Sequence, residues 1–557
     1  MEETMIETEY DAPVDALEIK LVDIWKEVLQ VKREIGVNEK FFEIGGHSLR
    51  VALVANKIHK VLHVEMPFSE LFQRSTIKEI ANYVRNADTS TYASIEKVEK
   101  REYYGLSSAQ KRMYITNQLD VQSTNYNMPI VMKIKGKIEK NRLENTIRAL
   151  IDRHESLRTS FHMREGETVQ VVHEDIVFEL DYETVEIGKV DEEIDAFIRP
   201  FDLSKAPLIR VKLLEQAIDD YILIVDMHHI ISDGVSQEII INDFSKLYAN
   251  EWLPNLRIQY KDYAAWQQKS ASLELIKKQE NYWLNTFKGD IPRINLPIDL
   301  KRTELINDKG STFHFFADKA LTEKLKIIAH ENDATLYTVL LAAYNVLLHK
   351  YSGQEDIIVG TPIAGRTHAD TENIIGMFVN TLAIRNRITV SKTFSQFIRE
   401  LNSKTVQAIE NQDYQLEELI VSLERTRVKS KYRHPLFDVV FAYHTTTTDK
   451  GDLGDLNIAE YYYGGKDAKF DLTLHVFQAI DIVKFNLEYQ IGLFKPETIQ
   501  RFATHFLNIL NEITENKDIT IQEIRMFTDS EMMQIKTSIR ETAVSEDDEL
   551  YYTEFNF

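Results

Sequence analysis

The apolar positions in the first part of the chain follow the spacing of short amphipathic helices. Asp15 and Glu18 form a capping-box pattern before an apolar face, and Thr76 with Glu79 repeats it. The first face comprises Leu17, Leu21, Ile24, Trp25, Val28 and Leu29. A further apolar helix follows Ser48. Three or four short helices within residues 11–85 predict a small all-α bundle.

The pattern changes after a polar, charged stretch at residues 86–104, which we interpret as a linker. Beyond Leu106, helical and strand-like segments are mixed. Predicted helices cover 141–153, 320–331 and 336–350, and predicted strands cover 156–161, 206–214, 221–227 and 356–360. This α/β region is too long for one ordinary core, so we predict two lobes, 105–275 and 276–530.

Residues 531–557 form a predicted tail whose last part mixes five acidic residues with tyrosines and phenylalanines. Such a segment is expected to be disordered alone. Two interpretations stay open: a linker remnant, which we favour slightly, and a docking peptide for a partner subunit. The chain is accordingly either a piece of a longer protein or a natural terminal subunit.

Composition narrows the possible partners. The formal net charge is −22 and no long Lys/Arg cluster occurs, which argues against a nucleic-acid or anionic-membrane partner. No apolar run approaches membrane-spanning length, and the absence of cysteine excludes disulfides and thiol chemistry. These observations favour a cytoplasmic protein with ordinary globular cores.

The segment Gly45-Gly46-His47-Ser48-Leu49 is the first candidate site. By residue type alone, Ser48 is most simply a helix N-cap. The surrounding sequence, from Asn38 through Phe41-Phe42 to Leu49, resembles the attachment loop of acyl and peptidyl carrier domains. That resemblance covers residues 11–85, implies a four-helix carrier bundle, and implies that Ser48 carries 4′-phosphopantetheine. His47 points to a peptidyl carrier, on the resemblance only.

The segment from Tyr221 to Ser236 is the second candidate site, because an apolar strand ends in adjacent histidines followed by a turn. Successive strand residues face opposite sides, so His228 and His229 cannot both reach the same cleft. We predict that His229 is the reactive imidazole and that His228 packs. Asp233 would support the loop through an arginine or backbone N–H groups, and Gly234 would allow the turn. A metal site is disfavoured because no third strong ligand pattern lies nearby.

This second segment resembles the core of condensation domains of nonribosomal peptide synthetases, relatives of chloramphenicol acetyltransferase. Other matching stretches occur in the family's order: Ser107–Met113, Arg153–Phe161, Tyr260–Trp266, Ile375–Leu382 and Arg433–Asp438. The resemblance implies two acetyltransferase-like lobes arranged in a V, with Arg158 as the buried partner of Asp233. It also implies that Phe378 and Asn380 line a substrate tunnel.

The combined resemblance implies an acyltransferase of nonribosomal peptide synthesis, as in antibiotic biosynthesis. A donor thioester on the carrier would react with the amine of an acceptor, usually on a downstream carrier domain. A phosphopantetheinyl transferase and an upstream adenylation domain would be further partners, since no adenylation signature occurs in this sequence. An epimerisation domain and a non-catalytic docking scaffold are the alternatives. Heterocyclisation is disfavoured because His228 and His229 are not replaced by aspartates.

Overall fold

The computed structural model describes residues 10–534, except 30, 32, 47, 271–273, 303–308, 425–432, 446–455, 462–466 and 480, together with residue 537. His47 and most of the predicted tail lie outside the described residues. The helical region consists of α1 (Ala16–Leu29), α2 (Ser48–Leu62), α3 (Phe68–Gln73) and α4 (Ile77–Asn86). Trp25, Leu21 and Ile58 are fully buried in its core. The predicted capping box at Thr76 and Glu79 is confirmed, with reciprocal hydrogen bonds that satisfy two backbone donors at the start of α4.

The first lobe of the α/β region surrounds a mixed sheet. Its elements are β1 (Tyr104–Gly105), α5 (Ser108–Leu119), β2 (Ile130–Lys135), α6 (Lys140–Arg153), β3 (Thr159–Arg164), β4 (Glu167–Val172), β5 (Asp181–Thr184), α7 (Val190–Phe197), β6 (Ile209–Ala217), β7 (Asp220–Met227), α8 (Gly234–Tyr248) and α9 (Tyr260–Ser270). Within the described residues, β1, β4 and β3 form a small separate sheet. The strand predicted at 156–161 begins only at Thr159, because Glu155–Arg158 form a 3₁₀ turn. Ser156 in this turn donates a hydrogen bond to the carbonyl of Ile375, which fixes the turn against the second lobe.

The second lobe is built on a larger sheet with long helices. Its elements are α10 (Glu274–Thr286), β8 (Gly310–Ala317), α11 (Lys319–Glu331), α12 (Leu336–Ser352), β9 (Asp356–Ile363), β10 (Asn380–Arg387), α13 (Phe394–Glu410), α14 (Leu416–Glu424), β11 (Val439–Thr445), β12 (Asn457–Glu460), β13 (Leu472–Gln478), β14 (Val483–Gln490) and α15 (Pro496–Glu515). The described strands of this sheet have the order β10-β9-β11-β13-β14-β8. Helix α12 is apolar on nearly every side and is buried at the centre of the lobe. None of the described helices is both long and apolar enough to cross a membrane.

At the junction of the two lobes, one strand from the second half of the sequence joins the sheet of the first lobe. Strand β12 belongs to the second half of the sequence, yet it pairs antiparallel with β2 and extends the first lobe's sheet to the order β12-β2-β7-β6-β5. Gly376 lies so close to the Tyr260 ring that an added Cβ would stand 1.8 Å from a ring carbon. Ser236 Oγ both donates to the Gly376 carbonyl and accepts from its N–H. These contacts hold the start of α8 against residues 374–378.

Candidate active site

His229 stands where β7 ends and a 3₁₀ turn, His229–Ile231, begins. Its backbone N–H donates to the Tyr126 carbonyl at 2.8 Å, which anchors the residue to a neighbouring loop. Its Nδ1 lies 2.8 Å from the Ser232 carbonyl oxygen. Because a carbonyl only accepts hydrogen bonds, Nδ1 carries the proton and Nε2 presents a lone pair. This tautomer suits an imidazole that accepts a proton.

The surroundings of His229 keep its ring uncharged. Burial and the ammonium of Lys469 together lower the pKa of His229 to about 4, against the opposing effects of the Ser232 carbonyl and Asp233. Burial likewise lowers the pKa of Lys469 to about 8, partly offset by Glu488. Lys469 lies over the Tyr126 ring, with its Nζ 4.6 Å from the ring centroid. At neutral pH the site therefore holds a neutral imidazole next to a cation.

His228 is oriented differently from its neighbour. It is buried, its ring meets Phe201 edge-on at 6.1 Å between centroids, and its Nδ1 accepts a hydrogen bond from Ile230 N–H. Burial lowers the pKa of His228 to about 3, so this ring is also neutral. The alternation of side chains along a strand predicted this division between a packed and an accessible histidine.

Asp233 caps helix α8 and is fully buried. Its Oδ1 accepts from Ser236 N–H at 2.7 Å, and its Oδ2 accepts from Phe378 N–H at 3.0 Å. The carboxylate therefore ties the histidine loop to the second lobe. Gly234 follows at the first position of the helix without a left-handed φ, and an added Cβ would meet nothing within 4 Å. Neither a left-handed φ nor a close contact therefore requires glycine at this position.

The cationic partner of Asp233 is Arg366, and the prediction of Arg158 is wrong. Arg366 Nη2 lies 3.3 Å from Asp233 Oδ1, and both side chains are almost completely buried. Arg158 instead donates to the His173 carbonyl and lies 3.8 Å from Glu155. The physical reason is the junction described above, which brings the segment after β9 onto the start of α8.

Arg366 uses its remaining donors to hold its own segment. Nη1 donates to the carbonyls of Thr371 and Ile374, at 2.5 and 2.8 Å, and Nη2 also donates to Ser236 Oγ at 3.0 Å. The guanidinium carbon lies 4.0 Å from the centroid of the Phe378 ring. A single cation thus connects the helix cap of the first lobe with a loop of the second.

Phe378 and Asn380 are structural in this arrangement. The Phe378 ring packs against Tyr260 and Tyr263, with centroids 4.9 and 4.6 Å away. The buried Asn380 amide donates to the carbonyls of Gln412 and Tyr414. Neither side chain lines the large cavity of the molecule. Both side chains are used in packing at the junction, and their place in a substrate tunnel stays a prediction.

That cavity has a volume of about 1510 Å³, larger than the ~300–1,000 Å³ typical of small-molecule sites. One part of its wall comes from the helical region, including Glu27, Arg50 and Leu53. Other parts come from α8, from Arg366 and from the six-stranded sheet of the second lobe. The cavity therefore runs from the helical region into the space between the lobes.

The helical region contacts the second lobe directly beside this cavity. Lys57 Nζ lies 3.0 Å from Glu372, and Lys60 Nζ lies 3.1 Å from Asp370. Asn56 Nδ2 donates to the carbonyl of Arg366 at 3.2 Å. All three donors belong to α2, the helix that begins at Ser48. The helix that follows the attachment-like loop therefore rests on the residue that pairs with Asp233.

Comparison with known proteins assigns both parts of the chain. The family model of the condensation domain matches residues 100–536, and that of the phosphopantetheine attachment site matches residues 20–84. This chain belongs to the condensation-domain family. It carries a carrier domain in front of the condensation domain, and the attachment-site family implies a covalent phosphopantetheine.

Curated relatives of the didomain are synthetases of peptide antibiotics. Gramicidin S synthase 2 of Brevibacillus brevis is 46% identical over 541 residues, which cover 97% of this chain and 12% of that protein. Tyrocidine synthase 3 of Brevibacillus parabrevis is 46% identical over 525 residues, or 94% of this chain and 8% of that protein. The chain therefore spans only a small part of the length of these relatives.

Solved structures confirm the two-lobed α/β fold. The X-domain from teicoplanin biosynthesis matches with a TM-score of 0.71 at 21% identity, covering 78% of this chain and 100% of the X-domain. The condensation domain from Monacolin K polyketide synthase matches with a TM-score of 0.68 at 20% identity, covering 76% of this chain and 100% of that domain.

The residues of the carrier domain fit a phosphopantetheine group. Ser48 supplies a hydroxyl-bearing residue at the first position of a 15-residue helix, where backbone N–H groups favour a phosphate. The loop before it is tightly folded, since a Cβ on Gly46 would stand 2.3 Å from the Phe41 ring. Arg50 in the first turn of α2 lines the cavity, so the arm would have space to enter it.

Sequence reasoning missed Arg366, Lys469 and Glu488. Arg366 is separated from Asp233 by 133 positions, and no local pattern marks it as a partner. Lys469 precedes β13 and Glu488 lies within β14, on elements far from the histidines in sequence. The alternation of polar and apolar residues in β14 indicates a solvated face, but it does not indicate that this face borders the cleft.

Proposed function

We propose that this didomain forms an amide bond between a donor acyl group carried on Ser48 and the amine of an acceptor. The observation that carries the proposal is the docking of α2 on the condensation domain. The helix that starts at Ser48 contacts Arg366, and the cavity beside it continues between the lobes. This arrangement favours delivery of the donor within the same chain.

The role proposed for His229 follows from its tautomer. Nε2 presents a lone pair at neutral pH because the pKa of the ring is depressed to about 4. It accepts a hydrogen bond from the incoming amine, orients the nitrogen lone pair toward the donor carbonyl, and takes up the proton released on acylation. Asp233 and Arg366 do not touch the reactants and act as positioning residues for the histidine loop.

Held on Ser48, a phosphopantetheine arm would supply the donor as a thioester, and its thiol would be the leaving group when the amide forms. Tethering contributes by proximity, which is worth up to ~7–11 kcal/mol for well-oriented reactants. It also makes affinity for a free donor unnecessary, since the donor is present at a high effective concentration.

Carrier and condensation domains imply partners among adenylation and carrier domains of synthetases. We propose an upstream adenylation domain that loads the donor, a downstream carrier that presents the acceptor, and a phosphopantetheinyl transferase that modifies Ser48. We also propose the domain limits predicted above: 11–85 for the carrier domain, 105–275 and 276–530 for the lobes, and a tail from 531.

The first experiment measures the intact mass of the protein after incubation with coenzyme A and a phosphopantetheinyl transferase. The expected result is one phosphopantetheine increment on the wild type and none on Ser48→Ala. The loaded protein then receives an aminoacyl group and is mixed with an acceptor amine in a single-turnover assay. Loss of the amide product in His229→Ala, with loading unchanged, separates catalysis from a scaffold role. If the folded wild type acquires no phosphopantetheine, the proposal is overturned.

A further inference from the structure

A row of polar side chains crosses the face of the six-stranded sheet that borders the cavity. Strand alternation places Leu474, Val476, Phe485 and Leu487 in the core of the second lobe. The intervening positions point away from that core. They include His475, Asn486, His314, Glu488 and Thr312, all of which line the cavity.

The strand register makes this row continuous. His475 on β13 pairs with Asn486 on β14, which in turn pairs with His314 on β8. Glu488 pairs with Thr312 one step further along the same strands. His314 Nδ1 lies 2.7 Å from Asn486 Oδ1, so the row is locally ordered. We call these five residues the polar row.

Glu488 is the only acid of the polar row. Its side chain is 27% exposed, and His475 Nε2 lies 3.9 Å from Glu488 Oε2. Burial raises the pKa of Glu488 to about 7, while burial lowers the pKa of His475 to about 3 and leaves that ring neutral. The carboxylate thus borders the cavity without a bonded cation among the described residues.

Lys469 connects the polar row with the reaction site. Its ammonium lowers the pKa of both His229 and Glu488, so the three groups share one electrostatic environment. The cavity volume leaves room for several residues beyond the reacting one.

We propose that the polar row binds the upstream end of the donor chain and that Glu488 accepts hydrogen bonds from its terminal ammonium. This inference rests on the proposed function, because it assumes that the donor is carried on Ser48. The substrate class is then a short peptidyl donor with a free amino terminus. A fatty-acyl donor is disfavoured, because its apolar chain would cover the Glu488 carboxylate without offering it a hydrogen bond.

The position of the carrier domain favours the donor, rather than the acceptor, as the occupant of the cavity beside the polar row. Arg50 and Leu53 of the carrier domain and Glu488 of the sheet line the same cavity. The arm that enters beside α2 therefore leads into the space that the polar row borders.

The test is a zero-length cross-link. Wild-type protein is loaded on Ser48 with an amide-linked glycyl, diglycyl or triglycyl pantetheine, and loading is verified by mass. A water-soluble carbodiimide activates carboxylates, the terminal amine of the chain displaces the activating group, and an amide forms with release of the urea. We expect peptide mapping to find the chain cross-linked to Glu488 with the diglycyl or triglycyl form.

Two variants and one substrate control sharpen the result. Glu488→Gln should lower total cross-linking at least about tenfold, because the tethered amine reacts through its effective concentration near that carboxylate. Glu323→Gln, at an exposed position on the outer helix α11, should leave cross-linking unchanged. An N-acetylated triglycyl chain should give no cross-link.

Cross-links to Glu238 or Glu372, which line the carrier side of the cavity, in place of Glu488 would overturn the inference. Unchanged cross-linking in Glu488→Gln would do the same. Both outcomes would leave the proposed function intact, since loading is measured first and the amide-linked chain does not react. Failure of the wild type to load would instead overturn the proposed function.

Discussion

The buried pair of Arg366 and Asp233 gives the sharpest prediction about stability. Arg366→Met keeps an apolar stem of similar length and removes the guanidinium. The Asp233 carboxylate is 0% exposed and would keep only its hydrogen bonds from Ser236 and Phe378. Removing one partner of a buried pair costs about 3–5 kcal/mol, because the other charge is left uncompensated. We therefore expect the free energy of unfolding to fall by about that amount.

A double variant tests whether the cost comes from the charge. Asn at position 233 can still accept the hydrogen bond from Ser236 N–H, but it carries no charge. If the uncompensated carboxylate dominates, then Asp233→Asn combined with Arg366→Met should be about 1–3 kcal/mol more stable than the sum of the single variants. Differential scanning calorimetry of the complete chain measures the transition of the condensation domain in all forms.

A surface pair provides the control for these measurements. Arg525 lies 3.0 Å from Glu512 but is 72% exposed, so Arg525→Ala should change the stability by no more than about 1 kcal/mol. The reasoning is refuted if Arg366→Met unfolds at the wild-type temperature. It is also refuted if Arg366→Met is equally destabilising whether Asp or Asn occupies position 233.

Three further substitutions test separate parts of the account. Lys469→Met removes the cation that helps to depress the pKa of His229, so that pKa should rise from about 4. The acid limb of the single-turnover pH profile should then move toward neutral pH. An acid limb that does not move would exclude this electrostatic role. Gly365→Ala should destabilise the protein by more than about 1 kcal/mol, because the residue has φ +63 and its Cβ would stand 2.0 Å from a backbone oxygen. Gly289→Ala, with φ +84 but no atom within 4 Å, is the matched control in calorimetry and should cost less. Glu372→Lys reverses the charge that pairs with Lys57 of the carrier domain. It should slow transfer of the donor acyl group about two- to fivefold at low salt, and the difference from the wild-type rate should vanish at high salt. A rate difference that does not depend on salt would contradict this prediction.

Much of the fold could be predicted from local sequence patterns. The helices of the carrier domain, the strand that ends at Met227 and the capping box at Thr76 were predictable because their signals lie within a few residues of each other. Strand alternation indicated that His228 and His229 would not share one environment, but it did not indicate which of them packs. These features depend on the sequence within a single element.

The errors concern contacts between elements. Arg158 and Arg366 are both arginines in polar surroundings, and only the packing of the two lobes decides which one reaches Asp233. The crossing of β12 to the first lobe has the same cause, since four strand residues carry no sign of the sheet they join. Lys469 and Glu488 could not be predicted as functional residues, because their shifted pKa values depend on burial beside a cleft that forms only when the lobes associate.

The most direct test of the central claim is a single-turnover measurement of amide formation from a donor loaded on Ser48. The account predicts product from the wild type, none from Ser48→Ala, and a rate about 10²–10⁴-fold lower for His229→Ala loaded to the same extent. Product formation by loaded His229→Ala at the wild-type rate would contradict a role for this imidazole in the reaction.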